Sequence, residues 1–298
     1  MRIKTFVAPL ALAAAAALLL TGCVNNETAP SKGGDGASGV SVDEASVALL
    51  PDDIKEAGKL VIGTDANYPP NEYKDSDGTV IGWEIDLIDA MAAKLGLETE
   101  YKASQFDNII PSIVGNKLDF GLSSFTDTIE REEQVDFVNY YTAGVQWAST
   151  KGTEVDPNNA CGLKVAVQST TFQDTEEVPA KSDACVAAGK EPIEKLQFEA
   201  QDAAANAVAL GQADAFSADS PVTLYAIAQN GDKLQAAGET FDEAPYGLPI
   251  AKDSELTEAI VSAFEALIAD GTYTEILDEW GVADGGLDEI TINAASKG

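Results

Sequence analysis

Lys59-Leu60-Val61-Ile62-Gly63, ending at Thr64-Asp65, is the stretch that decides the fold class. Its short apolar run, closed by glycine and a polar pair, reads as a buried strand. Working outward, residues 86–95 read as a helix, since Leu87, Met91 and Leu95 recur at i, i+4 and i+8 and Gly96 is placed to stop it. Residues 97–102 alternate as a second strand. Ile109, Ile110, Ile113 and Val114 make the next helical face, closed by Gly115, and residues 118–122 form a third strand. Strands alternating with helices imply a parallel sheet with crossover helices, an α/β fold.

The pattern restarts at Lys164-Val165-Ala166-Val167-Gln168. Residues 107–124 and 202–219 also match in detail: Asp119 and Asp214 each lie 12 residues after an aspartate, and a polar residue (Ser124, Asp219) lies 5 further on. One supersecondary unit is used twice, once in each of two lobes. Open α/β sheets bind ligands beyond the carboxyl ends of their strands. Asp65 and Ser124 in one lobe, and Ser169 and Asp219 in the other, fall at such ends, so the lobes face each other across one polar cleft. Near the end of the chain, Leu256, Ile260, Phe264 and Leu267 form an apolar helical face, and a second helix follows Asp270-Gly271. This end is expected to return to the first lobe, with two segments crossing between lobes near residues 144–149 and 238–242.

At the amino terminus, Arg2 and Lys4 precede an apolar stretch over residues 6–20, and then comes Leu20-Thr21-Gly22-Cys23. This is the shape of an export signal rather than a membrane span, and its end resembles a bacterial lipobox. In that reading the signal (1–22) is cut before Cys23, which carries lipid. Residues 23–50, rich in Gly, Ser and Asp, are then a flexible tether with a reach of roughly 27 Å. The alternative is an ordinary secreted protein with a leftover cysteine. No later run approaches the ~20 apolar residues of a spanning helix. The remaining ~250 residues suit two lobes, divided as 51–145 with 243–285, and 146–242, followed by a tail over 286–298.

Removing the signal takes away Arg2 and Lys4 and no acid, moving the net charge from −32 to −34. Such acidity excludes nucleic acid and electrostatic adhesion to anionic lipid as partners. There is no histidine, hence neither the commonest metal ligand nor the usual general base. We expect no catalytic residue, no metal and no cofactor. In an oxidising compartment Cys161 and Cys185 are expected to pair, as a structural bridge rather than a redox switch, since no CxxC accompanies them.

The ordered motifs Gly63-Thr64-Asp65-Ala66-Asn67-Tyr68-Pro69-Pro70, Gly82-Trp83-Glu84-Ile85-Asp86-Leu87, Ile109-Ile110-Pro111-Ser112-Ile113, Ser123 through Arg131 with Val135-Asp136-Phe137, and Gly271-Thr272-Tyr273 with Trp280-Gly281 resemble the extracytoplasmic solute-binding proteins for polar amino acids that feed ABC importers. The resemblance covers essentially residues 59–281. It implies the two-lobed, type II periplasmic-binding-protein-like fold. It also implies a site that grips the ligand's α-ammonium and α-carboxylate and varies around the side chain.

Carried over by position, Arg131 clamps the α-carboxylate, a role suited to a bidentate guanidinium fork. Composition alone would make it a surface arginine beside Glu130, Glu132 and Glu133. The resemblance gives Ser124 and Thr126 contacts to the ligand's amino and carboxylate groups. Ser169, Thr170 and Thr171 open a helix whose backbone N–H groups suit a carboxylate, or they simply cap it. Asp219 accepts from the α-ammonium, or caps the helix after it. Tyr68 and Phe106 match positions where aromatics sandwich the ligand's aliphatic stem, or each is ordinary core. Trp83 is packing. Asn71 stands where the family usually has Phe, and Phe125 replaces a smaller or more flexible residue. Asp65 is placed against the ligand's side chain, with Asn71 beside it, and favours a polar, non-acidic L-amino acid of amide or basic type; alternatively it caps a turn.

The function implied is a monomeric, lipid-anchored, extracytoplasmic protein that delivers an amino acid to an ABC permease. Two other classes share the fold: an enzyme of dehydratase or lytic type, and a sensory lipoprotein.

Overall fold

The structure, a computed structural model, describes residues 39–297. The export signal, Cys23 and most of the expected tether lie outside the described residues.

Two short helices, α1 (Glu44–Ala48) and α2 (Asp52–Ala57), lead into β1 (Lys59–Thr64). A small meander follows, made of β2 (Asn67–Tyr68), β3 (Glu72–Lys74) and β4 (Val80–Ile81). Then come α3 (Trp83–Lys94), β5 (Glu98–Ala103), α4 (Phe106–Val114), β6 (Phe120–Gly121) and the single turn α5 (Ile129–Glu132). The long strand β7 (Val135–Thr150) carries the chain into the second lobe. That lobe holds β8 (Lys164–Gln168), a π-turn (Gln173–Glu177) running into α6 (Val178–Ala187), β9 (Glu194–Phe198), α7 (Gln201–Ala209), β10 (Ala215–Asp219) and α8 (Ser220–Gln229). A second long strand, β11 (Leu234–Ala251), returns to the first lobe, which is completed by α9 (Leu256–Asp270), α10 (Thr272–Trp280) and β12 (Thr291–Ile292).

The main sheet runs β5-β1-β6-β11-β7-β10-β8-β9, with β12 added against β7. β5, β1 and β6 are mutually parallel, as are β9, β8 and β10. The antiparallel pair β7–β11 passes through both lobes and, among the described residues, is the part of this sheet they share. Both lobes are thus α/β layers joined by two crossing strands, as the alternation of elements predicts. The repeat is visible in hydrogen bonds. Asp119 Oδ2 accepts from Val61 N–H at the start of β1, and Asp214 Oδ2 accepts from Lys164 N–H at the start of β8.

The crossing is irregular where the sequence places it. Pairing slips between Ala237 and Phe241, and again before Ala244. Opposite lies Gly144, where a Cβ would sit 2.4 Å from Thr240 Cγ2 and 2.9 Å from the Phe241 carbonyl oxygen. Only glycine permits that approach. The buried Gln146 side chain holds the slipped segment, donating to the Gly238 carbonyl at 3.2 Å and accepting from Thr240 Oγ1 at 3.0 Å.

The first lobe's core gathers α3, α9 and α10 on the sheet, with Trp83, Tyr140 and Phe264 buried completely. Leu256, Ile260, Phe264 and Leu267 all point into it. The second lobe has two apolar clusters, one around Phe216 and one around Trp147. The second contains Cys185, disulfide-bonded to Cys161.

Two segments depart from the sequence reading. The tether assigned to residues 23–50 contains α1, whose Ser46 is fully buried with its hydroxyl 2.8 Å from that of Ser262 on α9. The tail assigned to 286–298 contains β12 and is tied to the first lobe by backbone pairing. Both segments are polar and lack periodicity, so composition makes them look solvated.

Candidate functional site

The carboxyl ends of β1, β6, β8 and β10 converge on one narrow cavity between the lobes. It is lined by Asp65, Tyr68, Phe106, Ser123, Ser124, Thr126 and Arg131 from the first lobe, and by Gln168, Thr171, Phe172, Gln173 and Asp219 from the second.

Arg131 sits on α5, whose N-cap Thr128 accepts from the Arg131 N–H at 3.3 Å. Among the described residues its guanidinium forms no ion pair. It donates instead to the Thr126 carbonyl at 2.6 Å and, across the cleft, to the Thr170 carbonyl at 2.9 Å. Phe106 and Phe125 stack at 4.3 Å, and the guanidinium lies over both rings at 5.4 and 5.5 Å. Desolvation pushes its pKa down to about 10, which leaves it charged at neutral pH. A cation held on carbonyls and ring faces keeps its capacity for a carboxylate.

Asp219 ends β10. Although it stands at the N-cap of α8, its side chain makes no capping bond. It turns into the cleft, where Oδ2 accepts from the Tyr68 hydroxyl at 2.9 Å and Oδ1 from Gln173 Nε2 at 2.7 Å. The carboxylate therefore lines the cavity and does not cap α8. Asp65 accepts from Asn67 Nδ2 at 2.6 Å and, across the cleft, from Gln168 Nε2 at 2.9 Å. Burial raises the pKa of both aspartates above the usual carboxylate range, partly offset by these bonds. Burial, then the Asp219 charge, pushes Tyr68 far up, so its hydroxyl stays a donor.

Ser124 adopts the left-handed region, φ 50°, and so does Thr170, φ 63°, on the opposite lobe. Such backbone in non-glycine residues concentrates at functional sites. The Ser124 hydroxyl is bound behind the cavity wall, near Glu72 Oε2 at 3.1 Å and Glu84 Oε1 at 3.0 Å, with Asn71 Nδ2 donating to it at 2.8 Å. Its N–H donates to Glu84 Oε2 at 3.2 Å. Ser123 Oγ donates to Glu72 Oε1 at 2.9 Å. Burial and the neighbouring Glu84 charge raise Glu72 well above the usual range, while burial raises Glu84 to about 7.

Of the twelve positions drawn from the sequence, Asp65, Tyr68, Phe106, Ser124, Thr126, Arg131, Thr171 and Asp219 line the cavity. The other four do not. Asn71 is fully buried and spends its oxygen on Trp83 Nε1 at 2.8 Å, so it offers nothing to a ligand. Phe125 is core, supporting Phe106 and Arg131 from beneath. The Ser169 N–H is taken by the Phe198 carbonyl and the Thr170 N–H by Asp174, so neither is aimed at the cavity. Sequence reasoning missed Ser123, Gln168, Phe172 and Gln173. Gln168 closes β8, and the rule that selected Asp65 and Asp219 at strand ends applies to it equally.

The profile of the bacterial extracellular solute-binding proteins, family 3, matches residues 60–283. The arginine-binding protein ArgT of Corynebacterium glutamicum is 42% identical over 283 residues, covering 94% of this chain and 92% of that protein. A solved ancestral arginine-binding protein bound to arginine shares 34% identity, with a TM-score of 0.69, and covers 75% of this chain and 98% of that one. A solved ancestral arginine-binding protein bound to glutamine shares 35% identity, with a TM-score of 0.68, and covers 76% of this chain and 98% of that one.

Proposed function

The chain belongs to the bacterial extracellular solute-binding proteins of family 3, and from that membership we propose that its cleft captures L-arginine for an ABC importer. The observation that carries this reading is the charge count of the cavity. Two acids, Asp65 and Asp219, and one unpaired guanidinium, Arg131, line it. Arginine presents the complement: one carboxylate for Arg131, an α-ammonium for Asp219 and a side-chain guanidinium for Asp65. Phe106 and Tyr68 flank the aliphatic stem between them. An acidic amino acid would bring a third carboxylate toward Asp65. The 42% identity to an arginine-binding protein supports the same choice.

Glutamine is the second reading, since Asp65 already accepts from amide groups of Asn67 and Gln168. A thermal-shift screen of the twenty amino acids separates the two. The proposal expects the largest stabilisation from arginine; stabilisation by glutamate alone would overturn it.

Delivery to a permease and tethering through lipid on Cys23 complete the reading, with the family placing the protein outside the cytoplasm. Cys23→Ser should move the protein from the membrane fraction to the medium. A sensory role is distinguished by whether deletion of the chain abolishes arginine uptake.

A further inference from the structure

We propose that the carboxy-terminal segment over residues 291–297 is a strap that positions Arg131 for the ligand carboxylate. This rests on the Arg131 clamp proposed above. The segment lies beyond the family match, which ends at residue 283. β12 pairs with β7 at Asn139 and Val138, and the chain then runs along the inner side of α5. There its backbone reaches two buried acids on either side of the Arg131 turn, Asp127 and Glu132. Ala294 N–H donates to Asp127 Oδ2 at 2.8 Å and Ala295 N–H reaches the same oxygen at 3.4 Å. Ser296 N–H donates to Glu132 Oε1 at 3.2 Å. Asn139 completes the arrangement, donating to Asp127 Oδ2 at 3.0 Å and accepting from Ala294 N–H at 3.1 Å.

α5 needs such support. It is four residues long, and a single helical turn does not hold itself. Its outer face carries Ile129, 64% exposed, and that side is uncovered among the described residues. Asp127 and Glu132, 3% and 7% exposed, are its inward anchors. Asp127 directly follows Thr126, whose carbonyl receives the Arg131 guanidinium. Fixing Asp127 and Glu132 fixes both ends of the turn that aims Arg131.

The test is calorimetry of the full chain with arginine and with arginine methyl ester, which keeps both cationic groups and lacks the carboxylate charge. Ala294→Pro removes one strap donor, and Asp127→Asn removes its acceptor charge. Each should weaken arginine roughly tenfold and leave the ester nearly unchanged, so that the preference for the free acid shrinks. Thermal melts of the ligand-free variants confirm folding. A preference equal to wild type in the folded variants would overturn the strap. Arg131→Ala separates the premises. If it too preserves the preference, the carboxylate clamp itself is wrong; if it abolishes the preference while both strap variants keep it, only the strap fails.

Discussion

The Tyr68 hydroxyl on the first lobe donates to the Asp219 carboxylate on the second at 2.9 Å. Together with Gln168 to Asp65 and Arg131 to the Thr170 carbonyl, it ties the lobes across the cleft through cavity-lining side chains. The groups assigned to the ligand are therefore the groups that join the lobes. Closure and capture become one equilibrium, biased by whatever binds both faces at once.

Tyr68→Phe tests that coupling. A hydrogen bond to a charged group is worth about 1.5–3 kcal/mol, so arginine affinity should fall roughly ten- to a hundredfold. Small-angle scattering should show a larger radius of gyration for the ligand-free variant than for wild type. Unchanged affinity together with unchanged scattering would mean that this bond plays no part in closure.

Arg131→Ala should weaken arginine by roughly 30- to several-thousandfold, the ~2–5 kcal/mol of a broken desolvated pair. The melting temperature without ligand should move far less, because Arg131 has no ion-pair partner among the described residues to leave stranded. Wild-type affinity in this variant would remove the clamp.

Much of this was legible in the sequence. The strand-and-helix alternation gives the α/β fold class, and the strand-end rule points to Asp65, Ser124 and Asp219, which line the cavity. What it could not supply was side-chain direction. Asn71 looked like a pocket donor, yet Trp83 Nε1, twelve residues away, claims its oxygen. Ser124 was found, but its left-handed backbone and its bonds to Glu72 and Glu84 arise from tertiary packing. Residues 291–297 read as a polar tail because backbone donors leave no trace in composition. Asp127, their acceptor, reads as one more acid in a chain that has fifty.

The buried acids make stability depend on pH. An acid whose pKa is higher in the folded chain binds its proton more tightly there, so the stability it lends is full below the unfolded value and is lost as pH rises through the folded one. For Glu84 that window runs from 4.5 to about 7, and Glu177, also raised to about 7 by burial, adds to it. The ligand-free melting temperature should fall as pH rises through this window, and Glu84→Gln should flatten the slope. A melting temperature that climbs steadily over the same range would contradict the assignment.

The Cys161–Cys185 bridge joins cysteines 24 positions apart in the second lobe, next to Val165 and Val178 rather than the cavity. Replacing both cysteines with serine should cost about 3 kcal/mol of stability in the chain-entropy model. Arginine affinity, measured where the variant is folded, should stay within a few-fold of wild type.

Whether Asp65, the cavity's second acid, recognises a cationic side chain is settled by calorimetry of Asp65→Asn with arginine and with glutamine. Arginine should weaken roughly thirtyfold or more, as expected when one member of a desolvated charge pair is removed, while glutamine changes only a few-fold. Equal losses for both ligands, or an unchanged affinity for arginine, would make Asp65 a turn residue and contradict the charge-matched cleft.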